Sequence, residues 1–251
     1  MKRRLRRKQY GDQPKPMMSA SNIHYELAGR SKAISCGGLG VFHTLVGKIG
    51  LVDEINGRLE LLKRHLPYHE SDHVLNLAYN VLVGHKRLED IELLRNDESY
   101  MDALGAERIP DPTTAGDFTR RFSAEDIDEL QEIINTARRL VWDQQRKGWL
   151  EYAIIDADGT MAPTEGQTKE GMDINHQGIW GYHPLILTLA NTGEHLYLVN
   201  RPGNRPSHDG AAEYMNRAAD VVRPYAGGSL LSGRHRFSVD GTFRRLDGRG
   251  A

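Results

Sequence analysis

A single cysteine, Cys36, in 251 residues leaves no partner for an intrachain disulfide and no thiolate cluster for a structural zinc ion. No apolar run approaches the ~20 residues that a membrane-spanning helix requires, and the basic start lacks the apolar segment of a signal peptide. A formal net charge of −1 means that no global field of one sign advertises nucleic acid, so any such signal has to be local. Internal repeats are missing too. These absences exclude secreted and membrane roles and predict a cytoplasmic protein.

What is present suffices for a folded chain. Hydrophobic residues make up 39% and charged residues 27%, and the length allows one large domain or two modest ones. The local basic signal is at the start, where Lys2, Arg3, Arg4, Arg6, Arg7 and Lys8 precede Lys15, itself held between Pro14 and Pro16. Residues 1–35 therefore read as a basic arm and linker suited to DNA phosphates, although a solvated terminus has the same composition.

Residues 36–148 read as a helical domain. Val74, Leu77, Ala78, Val81 and Leu82 recur at helical spacing behind Ser71 and Asp72, and Ile127, Leu130, Ile134, Ala137 and Val141 do so behind Ser123 and Asp126. Ser123 and Asp126 have the spacing of a capping box. Both apolar stripes are expected to face a core. Pro110-Asp111-Pro112 has to interrupt the helical run, and the segment after it carries Arg120 and Arg121 as candidate phosphate contacts. A DNA-reading helix pair and an ordinary helical hairpin both satisfy this pattern. Lys147-Gly148 is expected to close the last helix.

From residue 149 the period becomes strand-like. Strands are expected at about 150–157, 183–190 and 195–201, a helix at 208–223 and a further strand near 228–233, with a long polar loop over 159–181. Asn191-Thr192-Gly193-Glu194 supplies the turn between the second and third strands. The first strand ends in Asp156-Ala157-Asp158-Gly159. Period two puts both carboxylates on one face, at a rigid strand end where a hard cation accepts oxygen ligands. Asp158 is the first candidate ligand and Asp156 its partner. A lone pair of this kind is also a common solvated strand end. Arg201 and Arg205, in the loop after the third strand, are candidate phosphate contacts, with a solvated loop as the alternative; Trp142, Trp149 and Trp180 read as packing residues.

Several segments together resemble bacterial insertion-sequence transposases of the DDE type. They are Gly181-Tyr182-His183-Pro184-Leu185, Arg201-Pro202-Gly203-Asn204, Ser207-His208-Asp209-Gly210-Ala211-Ala212-Glu213, Asn96-Asp97, and Pro112-Thr113-Thr114 leading to Phe118 and Phe122. The resemblance spans about residues 36–233. It implies an α+β chain, in which an N-terminal helical region precedes a partial RNase H-like catalytic domain (149–251) made of a three-stranded meander, a helix and a fourth strand. It also implies DNA transposition by phosphoryl transfer with Mg2+ or Mn2+. Asp158 matches the first of three acids. The partner is then the terminal repeats of the element rather than a small molecule, a homodimer is compatible with pairing two ends, and the location is bacterial, at the nucleoid when DNA is bound.

The chain departs from that pattern after Gly233. Arg234-His235-Arg236-Phe237 stands where a Gly-Asp-Thr-Asp-Phe segment would carry the second acid, 234–251 is an atypical tail, and residue 251 comes before any helix for a third acid. An inactive, truncated form is the expectation, with a non-catalytic DNA-binding remnant as the alternative. His235 and Asp240 are poor replacements, because flanking arginines repel a cation. The codons GGC GAC ACC GAT TTC, read from their third base, give Arg-His-Arg-Phe, so a frame slip near Gly233 is expected. Sequencing the coding DNA checks this: the alternative frame past codon 233 should open with an Asp-bearing motif and a continuing domain.

Overall fold

A computed structural model of the chain describes residues 14–18, 36–165, 169–206, 209–232 and 236–237. The arm residues Lys2, Arg3, Arg4, Arg6, Arg7 and Lys8 lie outside the described residues, as do His235 and Asp240. The chain divides into two compact units, Met1–Ala137 and Arg138–Ala251.

The first unit is helical. Its elements are α1 (Leu39–Lys48), α2 (Leu51–Arg58), α3 (Glu70–Leu82), a 3₁₀ turn (Leu88–Asp90), α4 (Ile91–Arg95), α5 (Glu98–Leu104), α6 (Pro112–Thr119) and most of α7 (Ala124–Trp142). Breaks follow local chemistry. Gly50 takes a left-handed conformation (φ 71°) that turns the chain from α1 into α2. Asp97 caps α5 by accepting from Ser99 N and Tyr100 N, and Asp111 caps α6 ahead of Pro112. The expected box at α7 forms, with Asp126 Oδ2 accepting from Ser123 N at 2.8 Å and Ser123 Oγ from Asp126 N at 3.2 Å. The main core gathers Leu39, Val46, Leu75, Tyr79, Ile91, Leu94 and Tyr100.

The two expected apolar stripes hold in part: Val74, Leu77 and Leu130 pack half-buried against the core and Ala137 is buried, but other members turn outward. On α3, Val81 and Leu82 are 68% and 53% exposed, whereas Asp72, His73, Leu75, Asn76, Tyr79 and Asn80 are buried. The inward polar groups serve main chain: Asp72 accepts from Met17 N, Met18 N and His69 N, Asn76 Nδ2 donates to Pro110 O and Asn80 Nδ2 to Arg87 O. Buried main-chain groups need such partners, so burial follows hydrogen bonding rather than hydrophobicity here. On α7, Ile127, Ile134 and Val141 are exposed while Ile133, Ala137 and Trp142 are buried. The helix also ends at Trp142, and residues 143–149 form an irregular turn in which Gly148 takes a φ of 73°.

In the second unit, β1 (Leu150–Gly159), β5 (Leu185–Leu189), β6 (Glu194–Val199), β7 (Ala226–Ser232) and β8 (Arg236–Phe237) form one sheet in the order β6-β5-β1-β7-β8. β5 runs antiparallel to β1 and β7 parallel to it. Helix α8 (Ala211–Val222) packs one sheet face, burying Met215, Ala218, Val221 and Val222 with Ala153, Ile155, Leu185, Leu187 and Leu189. A helical region followed by this mixed sheet is the α+β fold with a partial RNase H-like domain that the sequence predicts. The stretch expected to be a plain loop carries instead a small sheet of β2 (Ala162–Pro163), β3 (Asp173–Ile174) and β4 (Trp180–Tyr182), ordered β2-β4-β3. Strands of two or three residues leave no periodic trace. Trp180, within it, is 37% exposed and so only partly packed.

Among the described residues no helix is long and apolar enough to cross a membrane.

Burial pushes the Asp111 carboxyl up, but donation from Thr114 N and Oγ1 and the charge of Arg95 outweigh it and hold the group below its ordinary value. Its stabilising effect is therefore present above the unfolded carboxylate range and is lost as pH falls through the depressed folded value. Asp111→Ala should cost about 1 kcal/mol at neutral pH, with the gap to the unaltered chain closing in acid. Denaturant melts of the helical signal across pH check this.

Candidate active site

The alternation along β1 decides which side chains meet solvent. Ala153, Ile155 and Ala157 pack into the core, so Tyr152, Ile154, Asp156 and Asp158 face the other way. Asp156 is half-buried and Asp158 exposed at the strand's C-terminal end, where Asp158 Oδ1 accepts from Gly159 N at 3.0 Å. The two carboxylates thus share a face, as the sequence predicts. Their cross-strand neighbours on β5 are Thr188 and Ile186.

Gly159 sits against two side chains that would have to move for a larger residue. A Cβ there would lie 2.5 Å from His183 Cε1 and 3.1 Å from Arg201 Nη2. Those two side chains belong to one clamp. Arg201 Nε donates to His183 O at 3.0 Å, Nη1 donates to Asp209 O at 2.5 Å and Pro206 O at 3.3 Å, and His183 N donates back to Arg201 O at 2.8 Å. Around the clamp, Asn204 Nδ2 donates to Asp173 Oδ2 at 2.6 Å, and Gly203 sits so close to the small sheet that a Cβ would meet Asp173 O at 2.4 Å.

Arg201 is 7% exposed and its guanidinium donates to carbonyl oxygens, so it shapes the loop. Arg205 stays exposed and pairs with Asp209 at 3.0 Å. Arg120 and Arg121, in the first unit, are exposed; Arg120 pairs with Asp117 at 2.7 Å and Arg121 Nη1 donates to Leu61 O at 3.2 Å.

The parallel pairing of β1 and β7 runs from Leu150↔Ala226 to Ile155↔Ser232, so β7 leaves the sheet alongside Asp156. The segment that follows, residues 233–235, lies outside the described residues. Asp156, half-buried, and Asp158, exposed, offer the carboxylate oxygens that a hard cation takes. Among the described residues no third ligand-type side chain joins them within 4.8 Å.

One ligand-type group escaped the sequence reading, although its spacing is visible. His65, His69 and Glu70 bring ligand atoms within 4.8 Å of one another in the first unit. The two rings stack at 4.2 Å with planes 5° apart, and Glu70 receives His65 Nε2 and Leu62 N. Imidazole lone pairs lie in the ring planes, so rings this nearly parallel do not converge on one ion. The trio is a packed, hydrogen-bonded cluster.

A helical unit followed by a sheet ordered β6-β5-β1-β7, with carboxylates at the end of its central strand, is the arrangement of a partial RNase H-like domain. The chain belongs to the transposase DDE domain group 1 family, whose family model matches residues 15–230. No curated protein and no solved structure matches it.

The clamp generates a stability prediction. A lysine at 201 presents a point donor that does not span the carbonyls a guanidinium fork reaches, and an unpaired buried carbonyl costs about 1–3 kcal/mol. Arg201→Lys should lower the stability of the second unit by roughly 2–3 kcal/mol. All three tryptophans, Trp142, Trp149 and Trp180, belong to that unit, so a tryptophan-fluorescence melt reads it. An unchanged midpoint would contradict the clamp.

Proposed function

We propose that this chain acts on the terminal repeats of an insertion sequence, with Asp158 as the first metal-binding carboxylate and Asp156 beside it. The observation that carries the proposal is the pair of outward carboxylates at the end of the central strand, beside the exit of a parallel strand. Family membership supports DNA transposition as the process. When bound, Mg2+ or Mn2+ at such carboxylates activates the attacking oxygen and offsets charge on the phosphoryl group. The chain's own contribution is placement. Gly159 N fixes one oxygen of Asp158, and the Arg201 clamp holds the loops that border it.

In this reading residues 1–35 are a basic arm, 36–148 a DNA-binding helical domain and 149–251 the catalytic domain. The partner is DNA, a homodimer would pair two ends, and the setting is the bacterial cytoplasm at the nucleoid.

Among the described residues the strand end brings two carboxylates, fewer than a two-ion phosphoryl-transfer site uses, and this favours a DNA-binding form that does not cut on its own. The expected result is that the chain binds element-end DNA equally in EDTA and in Mg2+, and nicks it no faster than Asp158→Asn. Nicking by the unaltered chain with Mg2+ or Mn2+, abolished in Asp158→Asn, would overturn the non-cutting form and leave the Asp158 assignment standing. Nicking that survives Asp158→Asn would remove that assignment.

A further inference from the structure

The first unit carries a cleft of about 790 Å³, a volume within the range of ligand-binding clefts. Five cations line it: Lys63, Arg64, Arg95, Arg108 and Arg121. Only Asp111 and Asp117 oppose them. Five positive and two negative groups leave the cleft at +3, on a chain whose formal net charge is −1. The concentration is local and is not an average of composition.

Both acids are already engaged. Asp111 accepts from Thr114 N and Oγ1, each at 2.9 Å, and Asp117 pairs with Arg120 at 2.7 Å. On the cationic side, Arg95 pairs with Glu92 at 2.6 Å, while Lys63 and Arg64 are exposed and make no ion pair among the described residues. The wall holds one more group without a partner. His73 is 3% exposed, stacks on Phe118 at 4.3 Å, and its buried Nδ1 makes no hydrogen bond. Burial and the charge of Arg121 lower its pKa to about 4, so it adds a neutral polar surface to a positively charged cleft.

From this charge distribution we propose that the cleft is where the helical unit grips the sugar–phosphate backbone of DNA, with Lys63 and Arg64 as principal phosphate contacts and Arg121 beside them. The proposal rests on the reading of the chain as DNA-acting, and goes beyond it by assigning the surface. Phosphate is the ligand because the surplus is cationic, the opposing carboxylates are internally satisfied, and guanidinium and ammonium donors suit phosphate oxygens without reading sequence. An acidic protein segment has like charge, and the experiment separates it.

The test uses the full chain and a fluorescent duplex titrated at several NaCl concentrations. Lys63→Gln/Arg64→Gln should weaken binding roughly tenfold and reduce the slope of log affinity against log salt by about two, since each lost phosphate contact removes close to one from the slope. The charge-matched control Lys48→Gln/Lys86→Gln, at exposed positions away from the cleft, should stay within about twofold. Adding Arg121→Gln to the cleft variant should lower the slope again. All substituted side chains are exposed, and an unchanged thermal melt verifies folding. Equal losses in cleft and control variants would overturn the assignment, as would displacement of poly-glutamate but not DNA by the cleft substitutions. If the unaltered chain binds no DNA at all, the DNA-acting reading falls first. If the cleft variants bind normally while Asp158→Asn behaves as expected, only this assignment falls.

Discussion

A guanidinium with almost no exposure holds the end of β1 among its loops. Arg201 joins the approach to β5, through His183 O, to the entry of α8, through Pro206 O and Asp209 O. Lone buried charges are unfavourable, and this one persists because its donors meet oxygens in the fork geometry that arginine alone supplies. The constraint propagates. The His183 ring and the guanidinium occupy the space beside Gly159, so a larger residue at 159 would have to displace one of them.

The helical unit uses the same device with opposite charge. Asp72 is wholly buried and accepts from three main-chain N–H groups, two of them at Met17 and Met18, which ties a distant part of the chain to α3. Burial raises its pKa against the lowering effect of those hydrogen bonds. Carboxylates and amides that bond main chain thus occupy the inner face of α3, and Val81 and Leu82 are left outside.

This explains which parts of the structure were legible from sequence. Strand β1 was readable because both of its faces obey alternation, and the capping box at Ser123 because its logic is confined to four consecutive residues. The α3 and α7 stripes were only partly readable because hydrophobic period stands in for burial only where buried polar groups are few. The position of Asp158 near the end of a strand was readable. The difference between Arg201 and Arg205 was not: both are arginines in one short loop, one nearly inaccessible and bonded to carbonyls, the other exposed and paired with Asp209. Nothing local separates them, because the partners of Arg201 come from segments 18 residues upstream and 5 to 8 downstream. The small sheet was hidden for a related reason, being specified by close backbone approach at Gly181 and Gly203 instead of by side-chain pattern.

Sheet order divides the second unit into an end that holds and an end that presents. At the hairpin end, Asn191 donates to Tyr152 O and accepts from Ile154 N, while Arg138 and Trp142 of α7 both bind Glu194. These contacts fix the start of β6. At the other end β1 and β7 run parallel, and β7 stops beside Ile155, four residues before β1 ends at Gly159, so both strands point toward the same end of the sheet. Antiparallel neighbours would send their continuations to opposite ends of the sheet. The parallel pair in the middle of an otherwise antiparallel sheet is therefore what makes the acidic edge a place where separate chain segments meet.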